Sequence, residues 1–110
     1  MATKRNTYRG QRSYQGIRVF KNGWPLSPTK SLRHRCHSPA GFCWGSCGPG
    51  ADQLALALLL EETTEEEALA LYQLFKFEVV ASFPVEGWHS ASGTIQAWLE
   101  EKRAIKARSR

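Results

Sequence analysis

The run Leu54-Ala-Leu-Ala-Leu-Leu-Leu60 is apolar on every side of the helix it predicts over residues 51 to 61. A helix with no polar face must be buried on most sides, so the rest of the chain has to be arranged around it. At under a dozen residues the run falls well short of the roughly 18–20 needed to span a bilayer. The loop that feeds it, His37 to Gly50, is rich in Gly, Trp and Cys. Backbone freedom, candidate ligands and the start of the core therefore meet in one segment.

The remaining pattern predicts an α+β domain. Tyr14, Ile17, Val19 and Phe20 are strand formers, and Asn22-Gly23 is a tight-turn pair, which gives a hairpin with strands near 14–20 and 24–27. Pro25 cannot donate a ladder hydrogen bond, so the second of these strands belongs at a sheet edge. Residues 27–39 read as an exposed loop and residues 41–45 as a short third strand. Thr64-Glu65-Glu66-Glu67 has the form of a capping box and opens a helix over 65–82, ended by Pro84. Ser92 is a plausible cap for a third helix whose face carries Ile95, Trp98, Leu99 and Lys102. The expected architecture is an N-terminal β-hairpin plus a short third strand packed on three helices. The central helix is buried. Residues 1–7 form a basic arm, 8–103 the domain and 104–110 a basic tail.

The stretch His37-Ser38-Pro39, Gly41-Phe42, Trp44-Gly45, Gly48, Gly50 and Gln53-Leu54-Ala55-Leu56-Ala57, followed by Leu71-Tyr72-Gln73, Phe75-Lys76 and Val79-Val80, resembles a family of small bacterial proteins of unknown function. Members of that family are often carried on phages and mobile elements. The resemblance covers roughly residues 8 to 99 and implies a fold and a genomic habit, with no catalytic residues. The family pattern has an acid where this chain has Cys43, an aromatic at Ser46 and a glycine at Cys47, so the chain departs from it there.

Charge falls into three blocks. Nine basic residues and no acid precede Asp52; residues 52–101 hold ten acids against Lys76 alone; the tail carries five bases. The basic half can meet an external polyanion, or the acidic block of the same or a second molecule. Arg5, Arg9, Arg12 and Arg18, interleaved with Tyr8 and Tyr14, and then Arg33 and Arg35, offer guanidinium groups for phosphates and aromatics for bases. The expected function is non-catalytic: a phage or mobile-element accessory protein binding nucleic acid with Arg5, Tyr8, Arg9, Arg12, Arg18, Arg33 and Arg35. The alternative is a protein-interaction module that inhibits or modulates a host nucleoprotein enzyme, such as a defence system.

Other chemistry is less complete. Cys36, Cys43 and Cys47 with His37 or His34 offer a zinc set, but no second close cysteine pair supports it, and small buried thiols are the plainer reading. Gly48, Gly50 and Ala51 before the buried helix could bind an anion through backbone amides, yet Asp52 in the first turn opposes a phosphate. Cys36-His37 and His89-Ser90 have no orienting acid nearby, so an enzyme is not expected. No cofactor is expected apart from that zinc. Without a signal-type segment, the expected setting is cytoplasmic, with reduced thiols and no disulfide framework.

Overall fold

The computed structural model describes residues 5–37, 41–45 and 48–108. Four antiparallel strands lie in the order β3-β2-β1-β4: β1 (Thr7–Ser13), β2 (Gly16–Lys21), β3 (Trp24–Pro25) and β4 (Gly87–Ala91). The helices are α1 (Thr29–His34), α2 (Pro49–Glu62), α3 (Glu65–Glu78) and α4 (Ser92–Arg108), with a 3-10 turn at Val80–Ser82. The α+β class and the buried central helix stand as expected.

Eleven of the 14 residues of α2 are buried, which makes it the axis of the core. Each fully buried leucine contributes about 1.5–3 kcal/mol, so this helix dominates the stabilisation. Tyr8, Val19 and Trp88 from the sheet join the same cluster as Leu54, Leu56, Leu58, Ala68, Phe75, Ile95 and Leu99. One face of the sheet is thereby committed to the core.

The Asn-Gly pair turns the chain as expected. Asn22 has φ 53° and Gly23 φ 83°, the double left-handed conformation of a type I′ hairpin turn. Pro25 lies on an edge strand. Two strands differ from expectation. Residues 41–45 join no ladder; Trp44 there is fully buried and its indole Nε1 donates to the Val85 carbonyl. The sheet is completed instead by β1 and β4, pairing Thr7 with Ala91 and Gln11 with Gly87.

Thr64 caps α3 by accepting from the Glu67 amide at 3.2 Å. Glu67 does not close the box; its carboxylate accepts from Thr63 and Arg103. Thr64→Ala is expected to lower stability by about 1 kcal/mol, read as a shift in urea midpoint at unchanged slope. The element expected over 65–82 is α3 plus the 3-10 turn, and α4 runs on to Arg108 inside the segment expected as a tail. Ser92 is buried, and its hydroxyl donates to Glu62 while accepting from the Asn6 amide.

Glu62, at the end of α2, is the polar centre of the core and only 4% exposed. Its carboxylate accepts from the Tyr8 hydroxyl, from Ser92 Oγ at 2.7 Å, from Asn6 Nδ2 at 3.1 Å and from Gln96 Nε2 at 3.1 Å. One side chain thus ties β1, α2 and α4 together. Burial works to raise its pKa, but the four side-chain donors outweigh that and hold the carboxyl below the usual range. Burial, and next the bond to Glu62, push the Tyr8 hydroxyl well above its ordinary value.

Candidate nucleic-acid interface

Strand alternation decides what the sheet shows to solvent. In β1, Tyr8 and Gly10 are buried while Thr7, Arg9, Gln11 and Ser13 are exposed. Cross-strand partners share a face. Phe20 pairs with Pro25 on one side and Arg9 on the other, and Arg9 pairs with His89. Pro25, Phe20, Arg9 and His89 therefore form one row across all four strands, about 14 Å long at roughly 4.8 Å per strand. Arg18, Gln11 and Gly87 form the next row.

The Arg9 guanidinium lies over the Phe20 ring, 4.7 Å from its centroid. Such a contact holds the cation beside the ring while Arg9 stays exposed. Around it is a shallow depression of about 330 Å³ lined by Thr7, Arg9, Phe20, Gly23, His89 and Ser90, among others. No residue of the four strands is acidic. Among the described residues, Arg5, Arg9, Arg12, Arg18, Arg33 and Arg35 form no ion pair.

The acidic block is engaged elsewhere. Glu61 pairs with Lys21 and Lys30, Asp52 with Lys76, Glu67 with Arg103 and Glu78 with Lys102. The Arg103 hydrogen bond, first among its causes, holds the Glu67 carboxyl below its ordinary range. Self-neutralisation thus absorbs Lys102 and Arg103 of α4 and two lysines of the first half. Arg9 and Arg18 of the sheet form no ion pair among the described residues.

The expected binding residues do not gather at one place. Arg9 and Arg18 lie on the outer sheet face, and Arg5 is exposed just before β1. Tyr8 is a correction: it faces inward, 1% exposed, and cannot stack on a base. Arg12, on the inward-facing register of β1, donates from Nε to the Val85 carbonyl at 2.9 Å and lies over Trp44, fastening the turn before β4. Arg33 and Arg35 are exposed on α1 and at its C-terminal cap, with Arg35 donating to the His34 carbonyl. Phe20, Gln11 and His89 complete the face although sequence reasoning did not place them among the binding residues. The alternation Ile17-Arg18-Val19-Phe20, apolar inward and Arg18 outward, was the available signal for Phe20.

The other candidates also acquire definite places. Gly48 has φ 63°, and its carbonyl accepts from the Ala51 and Asp52 amides at 3.0 and 3.2 Å. Gly50 packs against Cys43 so closely that a Cβ there would be 2.6 Å from the Cys43 Cβ. Gly50 is therefore needed for close packing, and the Ala51 amide is already bonded inside the loop. Cys43 is disulfide-bonded, against the expectation of reduced thiols. Cys36 is a free exposed thiol, and Cys47 lies outside the described residues. His37 Nε2 is 2.7 Å from the Tyr72 hydroxyl, and its amide donates to buried Gln53. Among the described residues no group of three or more His, Cys, Asp or Glu side chains is placed to hold a metal. No described helix is long and apolar enough to cross a membrane.

Fold and face together define a small α+β domain with an open, arginine-bearing sheet surface. The chain belongs to DUF6166, a family of unknown function whose model matches residues 8–101. No curated protein and no solved structure matches it significantly.

Proposed function

We propose that this chain is a non-catalytic nucleic-acid-binding protein of a phage or mobile element, acting in the cytoplasm through the outer face of its sheet. The observation that carries the reading is the acid-free strand surface on which Arg9 and Arg18 stand without ion-pair partners. Arginines already committed to internal carboxylates gain little from a phosphate; these are available to it, as is Arg5, exposed before β1. Arg9→Gln with Arg18→Gln is expected to lower affinity for a mixed-sequence oligonucleotide at low salt by at least about tenfold. The slope of log affinity against log salt should fall by about 1.4 if each arginine holds one phosphate of a single strand. An unchanged slope removes these arginines from the interface.

The rival reading, a protein-interaction module acting on a host nucleoprotein enzyme, draws on Phe77 and Leu74, exposed on α3 at 69% and 40%. It predicts no oligonucleotide binding at low salt, together with a specific protein partner that is lost on Phe77→Ser.

A further inference from the structure

We propose that the Pro25, Phe20, Arg9 and His89 row is a stacking platform for unpaired bases, so that the nucleic acid taken by this face is single-stranded. The inference rests on the nucleic-acid reading above and narrows it. Three features of the face lead to it.

The first is shape. Duplex DNA is read by an element that enters a groove, and its major groove is about 12 Å wide. The row is four strands wide, about 14 Å by the strand spacing, and is a broad surface with no protruding helix or ribbon among its strands. The base faces of a duplex are in any case closed to it by their own stacking.

The second is the chemistry of the row. Phenyl, guanidinium, imidazole and pyrrolidine groups stand side by side in ladder register, and three of the four are planar π systems. Every base has a π face, so stacking on aromatic rings and guanidinium planes tolerates any sequence. The Arg9 guanidinium carbon already lies 4.7 Å from the Phe20 ring centroid, so cation and ring stand together on the row.

The third is the combination of depression and charge. The hollow lined by Arg9, Phe20, Gly23 and His89 lies on this row, and the His89 ring nitrogens can bond a base edge. Arg18 stands one row along, about 6.7 Å by the strand rise, where it can meet the backbone phosphate while the base lies on the platform. The described acids that form ion pairs lie on helices and no strand residue is acidic, the nearest acid in sequence being Glu86 just before β4.

The test measures fluorescence anisotropy at low salt with three labelled probes of one length: a thymidine 12-mer, the same backbone without bases, and a duplex. The thymidine strand is expected to bind at least about tenfold more tightly than either of the others. Arg9→Lys keeps the charge but removes the plane, and Phe20→Leu keeps apolar bulk but removes the ring. Each should lower affinity for the thymidine strand more than for the baseless backbone, erasing most of that preference. Thermal melting checks that both variants fold; if Phe20→Leu does not, Arg9→Lys and the wild-type preference still decide. Equal binding of all three probes, lost in Arg18→Gln, overturns the platform and leaves a phosphate-only face. Polyglutamate competing as well as the thymidine strand also overturns it, in favour of an acidic protein ligand. No binding to any probe removes the nucleic-acid reading along with the platform.

Discussion

Glu62→Ala is expected to destabilise the domain by about 3–5 kcal/mol, comparable to breaking a buried ion pair and a large part of the about 5–15 kcal/mol typical of a domain. The reason is the number of donors it would strand. The Tyr8 hydroxyl, Ser92 Oγ, Asn6 Nδ2 and Gln96 Nε2 all end on this carboxylate, and Tyr8 and Ser92 are each 1% exposed. Water cannot readily replace the lost acceptor, and each orphaned buried donor costs roughly 1–3 kcal/mol. Glu62→Gln keeps the volume and one carbonyl but turns an acceptor into a donor among donors, so about 2 kcal/mol is expected. Urea titration of the three proteins at pH 7 measures both. A Glu62→Ala cost below about 1 kcal/mol would show that α4 and β1 are held mainly by other contacts.

The same residue gives the domain an acid limit. Its folded pKa is lowered, because hydrogen bonding to the ionised form outweighs burial. The stability it contributes is therefore complete above its unfolded value, about 4.3, and is lost as pH falls through the lower folded value. Between pH 7 and about 5 the gap between wild type and Glu62→Gln should stay constant, and it should close on further acidification. A gap that widens as pH falls contradicts the assignment.

What the sequence made legible and what it hid follow from where each signal is stored. Asn22-Gly23 specifies its turn through the backbone alone, and Thr64 caps α3 through a contact three residues away. These local signals can be read in one dimension. The apolar run of α2 is equally local. By contrast, β1 is Thr-Tyr-Arg-Gly-Gln-Arg-Ser and β4 is Gly-Trp-His-Ser-Ala, and neither shows an apolar alternation. Their inner face is apolar only because Trp88 of β4 lies over Gly10 of β1, a pairing of residues 78 apart in the chain. With β1 unread, Tyr8 passed for a surface aromatic among arginines. The platform was hidden for the same reason: Phe20, Arg9 and His89 become neighbours only through the ladder register. Residues 41–45, rich in aromatics and glycine, looked like a strand because side chains that suit a sheet also suit a buried loop.

Gly10→Ala is expected to be at least as damaging as the loss of a large core side chain, although it adds a single methyl group. A Cβ at Gly10 would stand 2.0 Å from Trp88 Nε1 and 2.4 Å from its Cε2, far inside contact distance. The indole has no place to retreat. It is stacked on Phe83 at 4.3 Å between centroids and meets Trp44 edge-on at 5.9 Å, with 4% of its surface exposed. Overpacking usually costs about 1–3 kcal/mol where neighbours can shift; against a wedged indole the cost should reach or exceed the top of that range. Trp88 Nε1 is also buried without a hydrogen-bond partner among the described residues, a standing cost that removal of the N–H relieves. Trp88→Phe alone should therefore be milder than aromatic truncation, which typically costs about 3–5 kcal/mol. Combined with Gly10→Ala it should restore part of the loss, giving a coupling of at least about 1 kcal/mol in a double-mutant cycle. If Gly10→Ala melts within a degree or two of wild type, or the two changes simply add, Trp88 does not occupy the space over Gly10.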